Sequence, residues 1–379
     1  MGGAGRFVGR SVPRTEDPRL VCGDGEFVAD VVLPGMLHAT FVRSPHARAY
    51  VRSIDTSEAM RVPGVVAVLT GADLNPLARD MRTMYEVESG DPRWRLTPLT
   101  SDEVRHVGDP VAIVLAESRY LAEDGADVVA VDYEPLVPVL DYERAAETDA
   151  LVHTAMGTNV AAEVASPADP EIDARLAASH VVISETIRQH RQSQAPMECR
   201  GVLASWDRGG ATLRVWMSTQ HAHDARNHFA RLTGVGENRV RVTARDVGGG
   251  FGQKSHVGRE ECAVVLAARS VRRPVKWIED RWENLVAASH ARDDEIHVTM
   301  GFDASGYITA AAIEYLEDLG AYPVGGPGGT GPFVCMVFPG PYRVPALAFT
   351  ARSVFTNTLG RGMYRGPWMT ETVGREIVL

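Results

Sequence analysis

The stretch RDVGGGFGQKS, Arg245 to Ser255, sets four glycines around one phenylalanine and then offers a lysine and a serine. Before it, NRVRVTARDV reads as a strand; after it, the apolar spacing of REECAVVLAARS reads as a helix. A strand that passes through glycines into a helix brings backbone N–H groups and a helix dipole toward an anion, so phosphate is the default ligand. The phosphate loop, however, needs Gly and Lys adjacent before Ser or Thr, and Gln253 separates Gly252 from Lys254. The dinucleotide fingerprint fails too, because after Gly248 and Gly250 come Phe251 and an out-of-step Gly252 and no small residue at the third position. Taken alone the loop is open to a purely structural reading, since glycines often serve only tight backbone geometry. A large aromatic among them favours a flat or bulky ligand met by backbone amides and a ring together.

Around this junction the chain reads as α+β. EFVADVVL and LHATFVRS are expected strands, YVRSIDTSEAMR a short helix, and VVAVLTG and GDPVAIVLAES strands; RYLAEDGADVVAVDYEPL passes from helix to strand. Periodicity fades between Asp141 and Pro170, which places a domain boundary near Asp149. Asp169 and Pro170 then open a short helix, EIDARLAAS, as N-cap and first-turn proline. VVISETIRQ is a strand, GVLASWD and ATLRVWMST form a hairpin, and HAHDARNHFARL is a helix that Gly234 can end. RPVKWIED returns as a strand, and DDEIHVTMGFDASGYITAAAIEYLEDLG is a hairpin around Asp303 to Gly306. The segment YPVGGPGGTGPFVCMVFPGPYRVP is too rich in Gly and Pro for regular structure, and PWMTETVGREIVL starts a helix with Pro367 and Glu371 in early-turn positions. That apolar helix stops at Leu379 in mid-pattern, from which a continuation of the polypeptide is expected.

The whole chain has 379 residues, 45% hydrophobic and 23% charged, with a formal charge of −10, which fits two or three domains and argues against a chain built to grip nucleic acid or an anionic membrane. The amino end carries no apolar run that could serve as a signal-peptide core, and no stretch approaches the ~20 apolar residues of a membrane helix, so a cytoplasmic location is expected. Cys22, Cys199, Cys262 and Cys335 are far apart and form no C-x-x-C, so the spacing offers neither a zinc site nor an iron–sulfur cluster. His221 and His223 lie i, i+2, which on a helix points their rings apart, and no carboxylate–His set at i, i+4 completes a site around these or His228, His256 and His290, which argues against a metal held by protein side chains.

Several ordered motifs together carry a resemblance. DVGGGFGQK followed by RPVKWIEDRWENLVAASHARD resembles the cofactor-binding domain of the molybdenum hydroxylases, the xanthine dehydrogenase and aldehyde oxidase family, and in particular the large subunits of aerobic carbon monoxide dehydrogenase and its relatives. GRSVPRTEDPRLVCGDGEFVADV, LHATFVRSPHARA and VGDPVAIVLAES resemble the α/β hammerhead domain that opens those subunits. QAPMECRGVLASWD, WMSTQHAHDARNHFARLTG and MYRGPWMTETVGRE follow in the family's order. The resemblance implies an amino-terminal extension over residues 1–20, a hammerhead domain over 21–148, and the first molybdenum-cofactor-binding α+β domain over 149–379, truncated at the carboxyl end.

What it implies chemically is a molybdenum ion held by the dithiolene of a pterin, in bacterial members usually the cytosine dinucleotide. Gln220 matches the glutamine whose carboxamide reaches an oxygen ligand of the metal. Gly249, Gly250, Phe251 and Gly252 match the loop that approaches the cofactor, with the Phe walling the substrate funnel, and Lys254 is placed to neutralise a phosphate. Arg365 matches the arginine of the active-site loop, where a guanidinium orients a carbonyl or stabilises negative charge; Arg361 is the competing, structural arginine. Gly366 stands where carbon monoxide dehydrogenases carry the cysteine that binds copper, so carbon monoxide is disfavoured as substrate. The implied reaction oxidises an aldehyde or aromatic N-heterocycle with water as oxygen source. Its implied partners are a small subunit with [2Fe-2S] clusters and a medium FAD subunit, in a dimer of heterotrimers. The missing carboxyl-terminal half is a further implied partner, because no glutamate here matches the family's general base. The competing expectations are an inactive or split fragment that keeps only the fold and an interface, and a nucleotide-binding protein.

Overall fold

The computed structural model describes residues 7–81, 93–167, 169–367 and 369–379; residues 1–6 of the expected extension and Trp368 of the MYRGPW motif lie outside them. Within that range fifteen strands run in chain order. β1 is Leu37–Arg43, β2 Ala49–Asp55, β3 Val65–Thr70, β4 Glu103–Val104, β5 Pro110–Ala116, β6 Ala130–Pro135, β7 Val160–Ala165 and β8 Val181–Gln189. β9 is Gly201–Trp206, β10 Leu213–Met217, β11 Val240–Thr243, β12 Val275–Ile278, β13 Asp294–Phe302, β14 Ile308–Asp318 and β15 Leu347–Val354.

They form a seven-stranded sheet in the order β11-β10-β9-β12-β1-β5-β3, a five-stranded sheet β7-β15-β14-β13-β8 and a small sheet β4-β2-β6. The largest sheet takes strands from both sides of Asp149, joined where Leu37 and His38 of β1 pair in parallel with Val275 and Lys276 of β12. β5 is buried at all seven positions, which is why its sequence reads as an unbroken apolar run rather than an alternation. Against this sheet lies the Arg259–Val271 helix, buried from Arg259 through Ala268, and with the Ala222–Thr233 helix it closes the main core. The five-stranded sheet packs its own core against the Gly331–Val337 and Thr370–Val378 helices.

Most of the expected elements form, and the exceptions have identifiable causes. Glu26–Leu33 is not a strand: Val28–Asp30 is a 3₁₀ turn, and Val28 and Val31, three apart, both bury their side chains. Tyr50–Arg61 is not a helix but β2 followed by a 3₁₀ turn at Ala59–Arg61. A register shift between Val51 and Ser53 in the pairing with β6 brings Val51 and Ile54 against one satellite core, so a bulged strand shows the three-residue spacing of a helix. β7 forms inside the stretch where periodicity fades, as an edge strand on β15.

The glycine- and proline-rich segment after Tyr322 does contain regular structure. β14 and β15 are parallel neighbours, and the chain between them crosses over through the Gly331–Val337 helix. The signal that starts this helix is not local: the buried Glu317 carboxylate of β14 accepts hydrogen bonds from Thr330 N, Thr330 Oγ1 and Gly331 N. At the Glu171–Ala177 helix Asp169 does not occupy the N-cap position, which falls on Pro170, although its Oδ1 still accepts from Glu171 N at 2.9 Å.

Candidate functional site

The glycine loop leaves β11 and reaches the Arg259–Val271 helix by a route that only glycine tolerates at several points. Gly249 and Gly252 have φ of +93° and +104°, and Phe251 itself sits at +53°. A Cβ on Gly252 would lie 2.5 Å from Met363 O, so the loop touches backbone to backbone against the segment that carries Arg365. Arg365 N donates to Phe251 O at 2.9 Å, which ties the two loops side by side.

Gln220 lies against the other flank. Its Oε1 accepts from Gly252 N at 2.9 Å, and its own N–H donates to Lys254 O at 2.9 Å. With the amide oxygen occupied, the NH2 group of this exposed side chain is left as a neutral donor. Gly250 is what permits this packing, because a Cβ there would stand 2.3 Å from Gln220 Oε1. Phe251 is 42% exposed, enough for its ring to face an incoming ligand. Gln220, Gly249 to Gly252 and Arg365 are therefore brought together.

Lys254 is not. It is fully buried and pairs with Glu198 at 3.0 Å, and burial depresses its pKa while Glu198 opposes that shift. Ser255 likewise turns inward and donates to Gly252 O at 2.6 Å. With Lys254 paired inside and the Ser255 hydroxyl spent on Gly252 O, the phosphate role expected for Lys254 is overturned and the nucleotide-binding reading loses its cation. Glu198 Oε2 also accepts from Gly248 N at 2.8 Å and from Ser218 Oγ at 2.6 Å, so this carboxylate braces the start of the loop.

The two arginines of the second loop separate cleanly. Arg361 is buried and bonds Asp294 at 2.7 Å, Tyr315 OH at 3.0 Å and Glu317 at 3.2 Å, a structural assignment. Arg365 is exposed at a φ of +37° beside Phe251. Gly366 follows at +84°. Arg292 clamps this loop from behind, donating to the carbonyls of Tyr364, Gly366 and Pro367, each at 3.2 Å.

Two cavities adjoin these loops. One of about 380 Å³ is lined by Thr219, His221, Ser255, His256, Arg259 and Tyr322 among others. The second, of about 370 Å³ and largely apolar, lies between Val324, Phe333, Met363 and Pro367. Both are in the size range of small-molecule pockets. Among the described residues no group of three or more His, Cys, Asp or Glu side chains gathers as a metal site. The donors at the loops are backbone N–H, carboxamide and guanidinium.

Sequence reasoning assigned no role to Glu198, Gln194, Asn284 or Arg292, although all four lie within motifs that it singled out. Their signal is long-range hydrogen bonding of polar groups, with partners 56 or more positions away for Glu198 with Lys254 and Gln194 with Gln253, and is invisible in a linear pattern.

The comparisons identify the fold that brings these two loops side by side as that of a molybdopterin-binding chain. Residues 152–373 match the molybdopterin cofactor-binding domain, and residues 22–137 match the aldehyde oxidase and xanthine dehydrogenase a/b hammerhead domain. The chain belongs to the large subunits of the xanthine dehydrogenase, aldehyde oxidase and carbon monoxide dehydrogenase family of molybdenum hydroxylases, and corresponds to their amino-terminal half. It is 37% identical over 378 residues to the nicotine 6-hydroxylase large subunit of Paenarthrobacter nicotinovorans, covering 98% of this chain and 46% of that protein. Quinoline 2-oxidoreductase from Pseudomonas putida 86 superposes with a TM-score of 0.91 at 35% identity, over 98% of this chain and 47% of that one. The nicotinate dehydrogenase large molybdopterin subunit of Eubacterium barkeri is 30% identical over 376 residues, 97% of this chain and 83% of that subunit. The chain thus spans about half the length of the first two and most of the third. No helix among the described residues is long and apolar enough to cross a membrane.

Proposed function

We propose that this chain supplies one wall of a molybdenum-pterin site in a hydroxylase that oxidises an aldehyde or an aromatic N-heterocycle, with water as the oxygen source. The observation that carries the reading is the exposed Gln220 amide, whose oxygen is taken by the N–H of Gly252, next to the residue that Arg365 N bonds, leaving its NH2 as the neutral donor. A neutral donor suits a metal held by pterin sulfur, because it orients an oxygen without adding charge or displacing a ligand. The residues fit such a group: the Cβ-free backbone at Gly250 keeps Gln220 in place, and the donor set is one that grips a cofactor rather than a bare ion.

When bound, the molybdenum-pterin group supplies the Lewis acid and two-electron acceptor that hydroxylation requires. Gln220 donates a hydrogen bond into the site. Gly249, Gly250 and Gly252 leave the backbone accessible, Phe251 walls the approach, and Arg365 orients a carbonyl or stabilises developing negative charge. Gly366 offers no soft sulfur beside Arg365, which speaks against a copper-dependent oxidation of carbon monoxide.

The cytosine dinucleotide form of the pterin, a [2Fe-2S] subunit and an FAD subunit in a dimer of heterotrimers, a division near Asp149 and a cytoplasmic location complete the proposal. So does completion of the site by a carboxyl-terminal half that brings the general base. Elemental analysis tests the reading: the chain purified alone should hold no stoichiometric molybdenum, whereas the complex with its partner subunits should hold one per chain. Full occupancy of the isolated chain, or none in the complex, would overturn it.

A further inference from the structure

Gln253, the residue that spoils the phosphate-loop pattern, is 1% exposed and lies in a line of three buried carboxamides. Asn284 Nδ2 donates to Gln253 Oε1 at 2.8 Å, Gln253 Nε2 donates to Gln194 Oε1 at 3.2 Å, and Gln194 Nε2 donates to Met363 O at 2.5 Å. At its far end Asn284 Nδ2 also donates to Glu279 Oε2 at 2.7 Å, a carboxylate held in turn by Arg200. Both ends of the line are therefore pure acceptors, a carboxylate and a backbone carbonyl. Gln253 and Gln194 each use the oxygen on one neighbour and the nitrogen on the next, while Asn284 donates to both of its neighbours through Nδ2 and has its Oδ1 taken by Arg281. No single amide can flip without setting acceptor against acceptor at a buried position.

The line joins the two loops of the candidate site. Gln253 follows Gly252, whose N–H holds Gln220, and Met363 lies two residues before Arg365, whose N–H bonds Phe251 O. We propose that Gln253 is a positioning residue: with Gln194 and Asn284 it forms a one-directional amide lock that fixes the Gly250–Gly252 backbone against the Arg365 loop and so sets the outward face of Gln220. This deepens the molybdenum-site reading but its geometry belongs to the chain itself, so a test that needs no cofactor separates the two. Loss of the lock would leave the cofactor assignment standing, and loss of that assignment would leave the lock.

Gln253→Glu is nearly isosteric and keeps the acceptor for Asn284, but when ionised it cannot donate to Gln194. When protonated it can. The measurement is hydrogen-exchange protection of the Gly252 and Arg365 amides in the full chain, corrected for intrinsic exchange, with the amides of the Arg259–Val271 helix as a folding control. Protection at both loops should fall roughly ten- to a hundredfold at neutral pH in the variant and recover as the pH is lowered through the carboxyl titration, while Gln253→Leu loses it at every pH. If Gln253→Glu fails to fold, Gln194→Met cuts the line from the other end and should loosen the same two amides. Wild-type protection at Gly252 and Arg365 in neutral Gln253→Glu or in Gln194→Met, or a loss that acid does not restore, would sink the lock.

Discussion

Gly252 N–H and Gln220 Oε1 meet at 2.9 Å, and that one bond decides which end of an exposed carboxamide faces the ligand. It spans 32 positions of sequence and needs two other conditions: no side chain on Gly250, and a positive φ at Gly252.

Gly250→Ala tests the first condition. The added methyl would overlap the far end of a flexible, exposed side chain, so Gln220 should swing away at a cost below about 1 kcal/mol in urea unfolding. Molybdenum content or turnover of the assembled complex should nevertheless drop about tenfold or more. Equal losses of stability and occupancy would instead mean that the loop itself had collapsed.

The pair of buried Lys254 and half-buried Glu198 should behave as structure, not as ligand contact. Lys254→Met strands the Glu198 carboxylate under the loop and should cost about 3–5 kcal/mol, with part of that recovered in the double variant Lys254→Met/Glu198→Gln. A double-mutant cycle by urea denaturation measures the coupling. Lys254→Met with unchanged stability and a lost phosphate affinity would reverse the assignment.

Arg361 and Arg365 should split in opposite directions. Arg361→Leu leaves Asp294 and Glu317 buried without their cation, an expected loss of about 3–5 kcal/mol. Arg365→Ala removes an exposed side chain and should stay within about 0.5 kcal/mol of the parent while reducing kcat/KM of the complex. Thermal unfolding and steady-state kinetics on the same pair of variants check both halves.

Acid should unfold the chain earlier than carboxylates alone would dictate. Burial lowers His153, His228 and His290 from 6.5 to about 4, and His256 to about 3. Because the fold favours the neutral rings, their contribution is fully present above the unfolded value of 6.5 and is lost as the pH falls toward those folded values. Each histidine can add up to about 1.4 kcal/mol per pH unit to the slope between about pH 6 and 4, which urea midpoints across that range would show. A flat profile there would mean that these rings take up protons in the folded state.

Much of the fold was legible because local pattern and tertiary role coincide. β5 reads as a buried strand since it is buried on both faces, and the hairpin of β9 and β10 follows from its turn chemistry. The misread elements are those whose spacing is set by something distant. The bulge in β2 imitates a helical period, and the Gly331–Val337 helix takes its cap from Glu317 on another strand.

The sequence by itself determined that a glycine loop sits on a strand-to-helix junction, that it matches neither nucleotide fingerprint, and that Gln220 and Arg365 accompany it in a family order. Only the tertiary structure decided that Lys254 faces inward, that Arg361 and not Arg365 is an internal ion partner, and that Gln253 ties the loop to Met363 through Gln194. The reason is physical. Residue type and spacing set which local conformations a segment can take, but whether a polar side chain meets water or a buried partner depends on what the rest of the chain brings against it.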